Sequence, residues 1–324
     1  MSAPVADEGK RRPGWRAQLA RRARVLAVAS LVGLCLPWAG AALPVTWDGK
    51  LPWLIDLAAH WQWLYAAVLA AAIALGTAHS PRWLLLMPAL ALPWLSAAPI
   101  LQSAADGAPT FTVMSANVEF DNQDATALID WSNREKPDLI VVLEVNERYA
   151  SRLARLEAYP HQRIVARDNP FGIALLSRHA LKHVSVVSDS IGLPHIEAEV
   201  DWNGQRVVVL AVHPMPPLSA HFAAERNAKL RAWSAKLAAA GAPGLIIGDL
   251  NATPWSSAFR GLDAARIRRT TTLQPTWPAA LKGVMGIPID HVLASSDWVR
   301  VASSLGPDLG ADHRPVVVRL RPAR

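Results

Sequence analysis

Two hydrophobic periods divide the chain. Val25–Val45 runs for 21 residues without a charge, Trp61–Ala78 is apolar apart from Gln62 and Thr77, and Trp83–Leu101 is again uncharged. A helix needs roughly 20 apolar residues to cross about 30 Å of hydrocarbon, so three transmembrane helices are expected between residues 25 and 101. Trp47, Trp53, Trp61, Trp63 and Trp83 lie near the ends of these runs, as an interfacial aromatic belt does. A cleaved signal peptide would account for the first run alone, and two more follow it. Pro88, Pro93 and Pro99 interrupt the third run, which leaves a re-entrant segment as its alternative.

Past a small, polar stretch at 102–109, read as a linker, the period shortens. Phe111–Ser115, Leu139–Leu143, Gly172–Leu176, Ile196–Trp202, Arg206–Val212, Gly244–Ile247, Ile289–Ala294 and Val316–Leu320 are short runs rich in β-branched residues, the pattern of strands. Asn203-Gly204 separates two of them and signals a hairpin. Thr126–Arg134 and Ser219–Ala240 carry apolar positions at helical spacing. Strands mixed with helices, with a hairpin among them, predict an α/β layered domain containing antiparallel pairs. LIVVLEV and GLIIGDL are apolar almost throughout, as strands buried on both faces are. Each ends in residues an ordinary core would not select: Glu144 in the first, Asp249 and Asn251 in the second.

Charge changes the picture less than its total suggests. The chain carries +7, but residues 1–24 hold seven bases against two acids, while residues 103–324 hold 24 bases and 22 acids. The basic character belongs to a tail, and the near-neutral remainder lacks the basic stripe of a protein that grips many phosphates. The single Cys35 excludes an intrachain disulfide. The organisation expected is a basic cytoplasmic tail (1–24), a membrane region of about three helices (25–101), the linker, and one catalytic domain (110–324). With the tail inside and three crossings, that domain lies outside the cytoplasm, at a bacterial inner membrane.

The polar groups gain meaning in order. The chain reads SANVEF at 115–120, LIVVLEVNE at 139–147, FGIALLSR at 171–178, VVVLAVHPMPP at 207–217, LIIGDLNATPW at 245–255, PIDHVLAS at 288–295 and LGADHRPVVVRL at 309–320. This series resembles the endonuclease/exonuclease/phosphatase family, which includes DNase I-like nucleases, abasic-site endonucleases, sphingomyelinases and inositol polyphosphate phosphatases. The resemblance covers essentially all of residues 110–324 and is most specific in G-D-L-N, I-D-H and D-H-R-P. It implies a DNase I-like layered α/β sandwich that hydrolyses phosphate esters with Mg²⁺ or Mn²⁺, since hard oxygen ligands suit these ions. By resemblance, Glu144 is the leading metal ligand, completed or supported by Asn117 and Asp312. Asp249 orients or deprotonates the attacking water, Asn251 donates to phosphoryl oxygens, and His313, held by Asp290, meets the transition-state charge. His213 contacts the phosphate or assists the leaving group. Glu119 stands where some relatives carry a second acidic metal-site residue, and Arg226 reads as a solvated helix position or a phosphate contact.

The sequence also departs from the pattern. Leu143 stands where many nucleases of the family have Gln, and the Pro-rich surroundings of His213 hold no basic cluster. The expected activity is a membrane-anchored phosphoesterase, a nuclease or related phosphodiesterase. The alternatives are a phospholipid phosphodiesterase or phosphatase, favoured if Trp255 and Phe259 are exposed beside the site, and a catalytically silent interaction module. Substrates considered are nucleic acid and phospholipid, and the lipid bilayer itself is a partner of the apolar runs.

Overall fold

The computed structural model describes residues 15–44, 49–105, 109–283 and 285–323. Most of the basic tail (1–14), the end of the first apolar run at Val45 and part of the 102–109 stretch lie outside the described residues. The chain divides into two compact units, one of residues up to Cys35 with Gln62–Leu95, the other of Leu36–Trp61 with Ser96–Arg324.

Helix α1 (Trp15–Ala42), whose residues up to Cys35 belong to the first unit, is the one described helix that is by itself long and apolar enough to cross a membrane; an 18-residue stretch within Ala17–Ala42 has a mean hydropathy of 2.0. Helix α3 (Gln62–Thr77) lies in the first unit and helix α2 (Lys50–Ala59) in the second, and neither reaches that length by itself. Ala27, Leu34, Leu69, Ala72 and Ile73 form a small apolar cluster. The third run does not form the expected span. Its first part is a 3-10 helix, Pro81–Ala91, and its second a five-residue helix α4, Leu92–Ser96. Pro88, Pro93 and Pro99 each remove an N–H donor and clash with the preceding turn. The run then leaves the helical register altogether: Ile100 bridges to Arg269, and Leu101 is buried in the sheet core of the second unit.

The second unit is a two-sheet sandwich. Its strands are β1 (Phe111–Asn117), β2 (Leu139–Leu143), β3 (His161–Val165), β4 (Ile173–Ser177), β5 (Leu181–Ser188), β6 (Pro194–Trp202), β7 (Gln205–Ala211), β8 (Gly244–Asp249), β9 (Ile267–Arg269), β10 (Asp290–Ser295), β11 (Trp298–Leu305) and β12 (Val316–Pro322). One sheet has the order β11-β12-β1-β2-β4-β3 and the other β5-β6-β7-β8-β10-β9. Among the strand pairs of the described residues, only β1–β2 and β7–β8 are parallel. Asn203 and Gly204, both at positive φ, close the hairpin between β6 and β7 as expected.

Three apolar layers hold this arrangement. Inner faces of both sheets meet around Phe111, Val141, Val209, Ile247 and Trp298. Helices α5 (Thr126–Glu135) and α6 (Glu147–Leu153) cover the outer face of the first sheet, where Trp131 and Tyr149 pack on Met114 and Val142. Helix α7 (Ala220–Ala239) covers the second through Leu230, Trp233 and Leu237. Ser219 caps α7 by accepting from the Phe222 N–H.

Phe111 ties the inner layer together, with its ring 5.4 Å from that of Trp202 and stacked 5.7 Å from that of Trp298. Phe111→Ala should cost about 3–5 kcal/mol through lost burial and the cavity left behind. Urea unfolding followed by tryptophan fluorescence checks this; an unchanged midpoint would contradict the packing.

Candidate functional site

Six strand ends deliver the polar residues to one place. Asn117 ends β1 level with Leu143 across the parallel ladder, so Glu144 emerges beside it. Asp249 ends β8 and pairs directly with Asp290, which begins β10. His213 follows β7, the parallel neighbour of β8. Asp312 and His313 precede β12, which pairs with β1.

A glycine makes the closest of these approaches possible. A Cβ on Gly248 would lie 1.9 Å from the Val212 carbonyl oxygen, and its φ is +151°. Only glycine lets β8 come so near the end of β7. That approach sets Asp249 against His213.

The centre is one oxygen. Asp249 Oδ2 lies 3.4 Å from Asn117 Nδ2 and 3.7 Å from both His213 Nε2 and His313 Nε2. Its other oxygen accepts the Asn251 N–H at 2.8 Å. Asn251, at φ 49°, directs its amide nitrogen to the Pro214 carbonyl, 3.1 Å away. His313 Nδ1 pairs with Asp290 Oδ2 at 2.9 Å. At the other end, Asn117 donates to Glu144 Oε1 at 2.8 Å and the Phe120 N–H donates to Oε2 at 2.9 Å. The Glu119 N–H donates to Asn117 Oδ1, which fixes the amide orientation and points its nitrogen at the two carboxylates.

Burial drives the electrostatics. Burial, with the neighbouring Asp290 charge, raises the Asp249 pKa well above the usual carboxylate range. Burial would raise Asp290 too, but the His313 charge and hydrogen bond hold it low. Burial opposes charge on His313, yet Asp290 and then Asp249 outweigh it and lift its pKa to about 10. His213, buried and facing that cation, falls to about 4. Glu144 is raised, mainly by burial, against the pull of its bonds from Asn117 and Phe120. Asp249, Asp290 and His313 offer atoms within 4.8 Å of one another, a spacing that could hold a cation. Protonated His313 has no lone pair for a metal, however, and its Nδ1 is already committed to Asp290.

The model of the endonuclease/exonuclease/phosphatase family matches residues 114–313. The chain belongs to that family. Solved structures agree in fold. An endonuclease/exonuclease/phosphatase from Beutenbergia cavernae DSM 12333 is 22% identical, covering 66% of this chain and 72% of that one, with a TM-score of 0.56. D. rerio TDP2 complexed with single strand DNA product is 16% identical over 65% of this chain and 99% of that one, with a TM-score of 0.55. An AP endonuclease from Archaeoglobus fulgidus is 15% identical over 66% and 100%, with a TM-score of 0.51. A sequence search of curated proteins finds no match.

Within this family member, Asn117, Glu144, His213, Asp249, Asn251, Asp290 and His313 converge. Asp312 stands at the rim, about half exposed, its carboxylate 3.9 Å from His313 Nε2. Glu119 accepts the Asp312 N–H. Arg226 is neither solvated nor free for phosphate: it is buried and bound to Asp56. Trp255 and Phe259 are buried as well. Sequence reasoning missed Thr276, whose hydroxyl accepts the Ile289 and Asp290 N–H groups, and Trp277, which donates to Asp312 Oδ2 at 2.9 Å. Both sit in an irregular segment with no period to mark them.

Gly248→Ala should separate β7 from β8 and draw Asp249 away from His213. A displacement near 1 Å lowers turnover by about 100-fold. Steady-state kinetics on the folded variant check this, and wild-type kcat would contradict it.

Proposed function

We propose that the chain is a divalent-metal-dependent phosphodiesterase, a nuclease or close relative, tethered to a membrane by α1. The observation that carries this reading is the convergence of Asn117, His213 and His313 on Asp249 Oδ2. A water beside that oxygen would lose its proton to Asp249 as it attacks phosphorus, and the raised pKa suits a base working near neutrality. His313, kept cationic by Asp290, faces the charge that grows on the phosphoryl oxygens. Asn251 adds its second amide N–H, and neutral His213 donates to the phosphate or the leaving oxygen.

The donor set at the Glu144 end fits Mg²⁺ or Mn²⁺. Glu144 and Asp312 supply hard carboxylate oxygens, and Asn117 orients Glu144 through its amide nitrogen. The Asp312 charge adds to the burial that raises Glu144, and a cation there relieves both. Such an ion polarises a phosphoryl oxygen and lowers the pKa of bound water.

Substrate preference follows from the surroundings. An open groove of about 600 Å³ is lined by Phe120, whose N–H donates to Glu144, and by Asp121, Glu147, Arg148, Arg167 and Asp168, among others. Its mixed charge suits a single phosphodiester better than a duplex backbone. Burial of Trp255 and Phe259 removes the apolar surface on which a phospholipid reading would rest. One crossing by α1, with bases at its start, supports an extracytoplasmic catalytic domain at a bacterial inner membrane.

The full chain should hydrolyse at least one of DNA, RNA, sphingomyelin vesicles or inositol phosphates with Mg²⁺ or Mn²⁺. EDTA should abolish the activity and added metal restore it. Asp249→Ala and His313→Ala should each lower kcat by about 10³-fold or more. Turnover surviving in either variant would sink the assigned roles.

A further inference from the structure

The family match begins at residue 114, yet a buried charge within it finds its partner far upstream. Arg226, in the middle of α7, is 1% exposed. Its Nη2 donates to Asp56 Oδ2 at 2.7 Å and to Ser256 Oγ at 3.2 Å, and its Nη1 donates to the Asn251 carbonyl. Asp56, on α2, is 4% exposed. Its carboxylate also accepts the Ser256 hydroxyl at 2.9 Å and the Ser257 N–H at 2.6 Å. Besides each other, the partners of Asp56 and Arg226 named here, Asn251, Ser256 and Ser257, lie in the segment that follows Asp249. A second contact from the same helix, Trp53 Nε1 to the Pro217 carbonyl at 2.8 Å, reaches the segment that follows His213.

We propose that Asp56 and Arg226 are positioning residues for the loop carrying Asp249 and Asn251, which makes α2 a working part of the catalytic domain. The chain of contacts is short. Asp56 orients the Arg226 guanidinium, and Arg226 holds the Asn251 carbonyl. Asn251 in its left-handed conformation then gives its N–H to Asp249 and its amide nitrogen to Pro214. Without Asp56, Arg226 would be a buried cation with no counter-charge, and such a group draws in water or rearranges. The loop it holds would move with it. A helix present only to anchor the domain has no need of an acid there, because an apolar residue would pack more cheaply between α2 and α7.

This inference rests on the proposed phosphodiesterase activity. The test uses the full chain in detergent with bis(p-nitrophenyl) phosphate or the best substrate found, and Mn²⁺. Rates are normalised to the folded fraction measured by circular dichroism and size exclusion. Asp56→Asn should lower kcat at least about tenfold, leave KM within about threefold, and speed amide hydrogen exchange across 250–257. Asp56→Glu, which keeps the charge, should recover part of the lost kcat. An Asp56→Asn protein with wild-type kcat per folded molecule, or a loss that only tracks the unfolded fraction, would overturn the proposal. If Asp56→Asn does not fold, Asp56→Glu is judged alone: its longer reach should lower kcat with the fold intact, and wild-type kcat would overturn the proposal. An inactive wild-type chain would instead refute the phosphodiesterase reading.

Discussion

Two carboxylates face each other inside an apolar sandwich. Asp249 and Asp290 are paired residues of the β8–β10 ladder, and both are buried. Like charges at that separation and burial are strongly unfavourable, so the arrangement depends on a cation between them. His313 supplies it, with Nδ1 on Asp290 and Nε2 near Asp249. The G-D-L-N, I-D-H and D-H-R-P segments, far apart in the chain, are bound to one another by this single compensation. It also sets the two carboxylates apart, with Asp290 held low by His313 while the Asp249 pKa is raised; under the proposed function Asp249 is the base.

The rest of the site is built around the cost of that burial. Asn117 reaches from the first sheet to Asp249 in the second, and the same amide nitrogen holds Glu144. Glu144 is half-buried and Asp312 about half exposed, and under the proposed function these two carboxylates would meet the cation. Gly248 permits the strand approach that brings His213 in. The buried Asp249, Asp290 and His313 are thus set apart from the less buried Glu144 and Asp312.

Much of this was legible in the sequence, for identifiable reasons. Strands buried on both faces, such as β2 and β8, announce themselves as apolar runs, and a polar residue at their ends stands out against the core. β3, β5, β9 and β11 did not, because all four are edge strands without a continuous buried apolar run; β5 exposes Lys182 to Ser185 in succession. Thr276 and Trp277 act through tertiary placement alone. The third apolar run misled because hydropathy averages over prolines that break the helix. Asp56 carries no local signal of its role, because its partner lies 170 positions away.

Under the proposed function, Glu144 and Asp312 hold the metal, and Asp249, Asp290 and His313 form a metal-free acid–base group. Anomalous scattering from crystals grown with Mn²⁺ tests that division directly. It predicts a manganese peak bonded to a Glu144 oxygen, at roughly 2.0–2.3 Å, with His313 still on Asp290. A peak coordinated by His313, Asp249 and Asp290, with Glu144 left without metal, would contradict it.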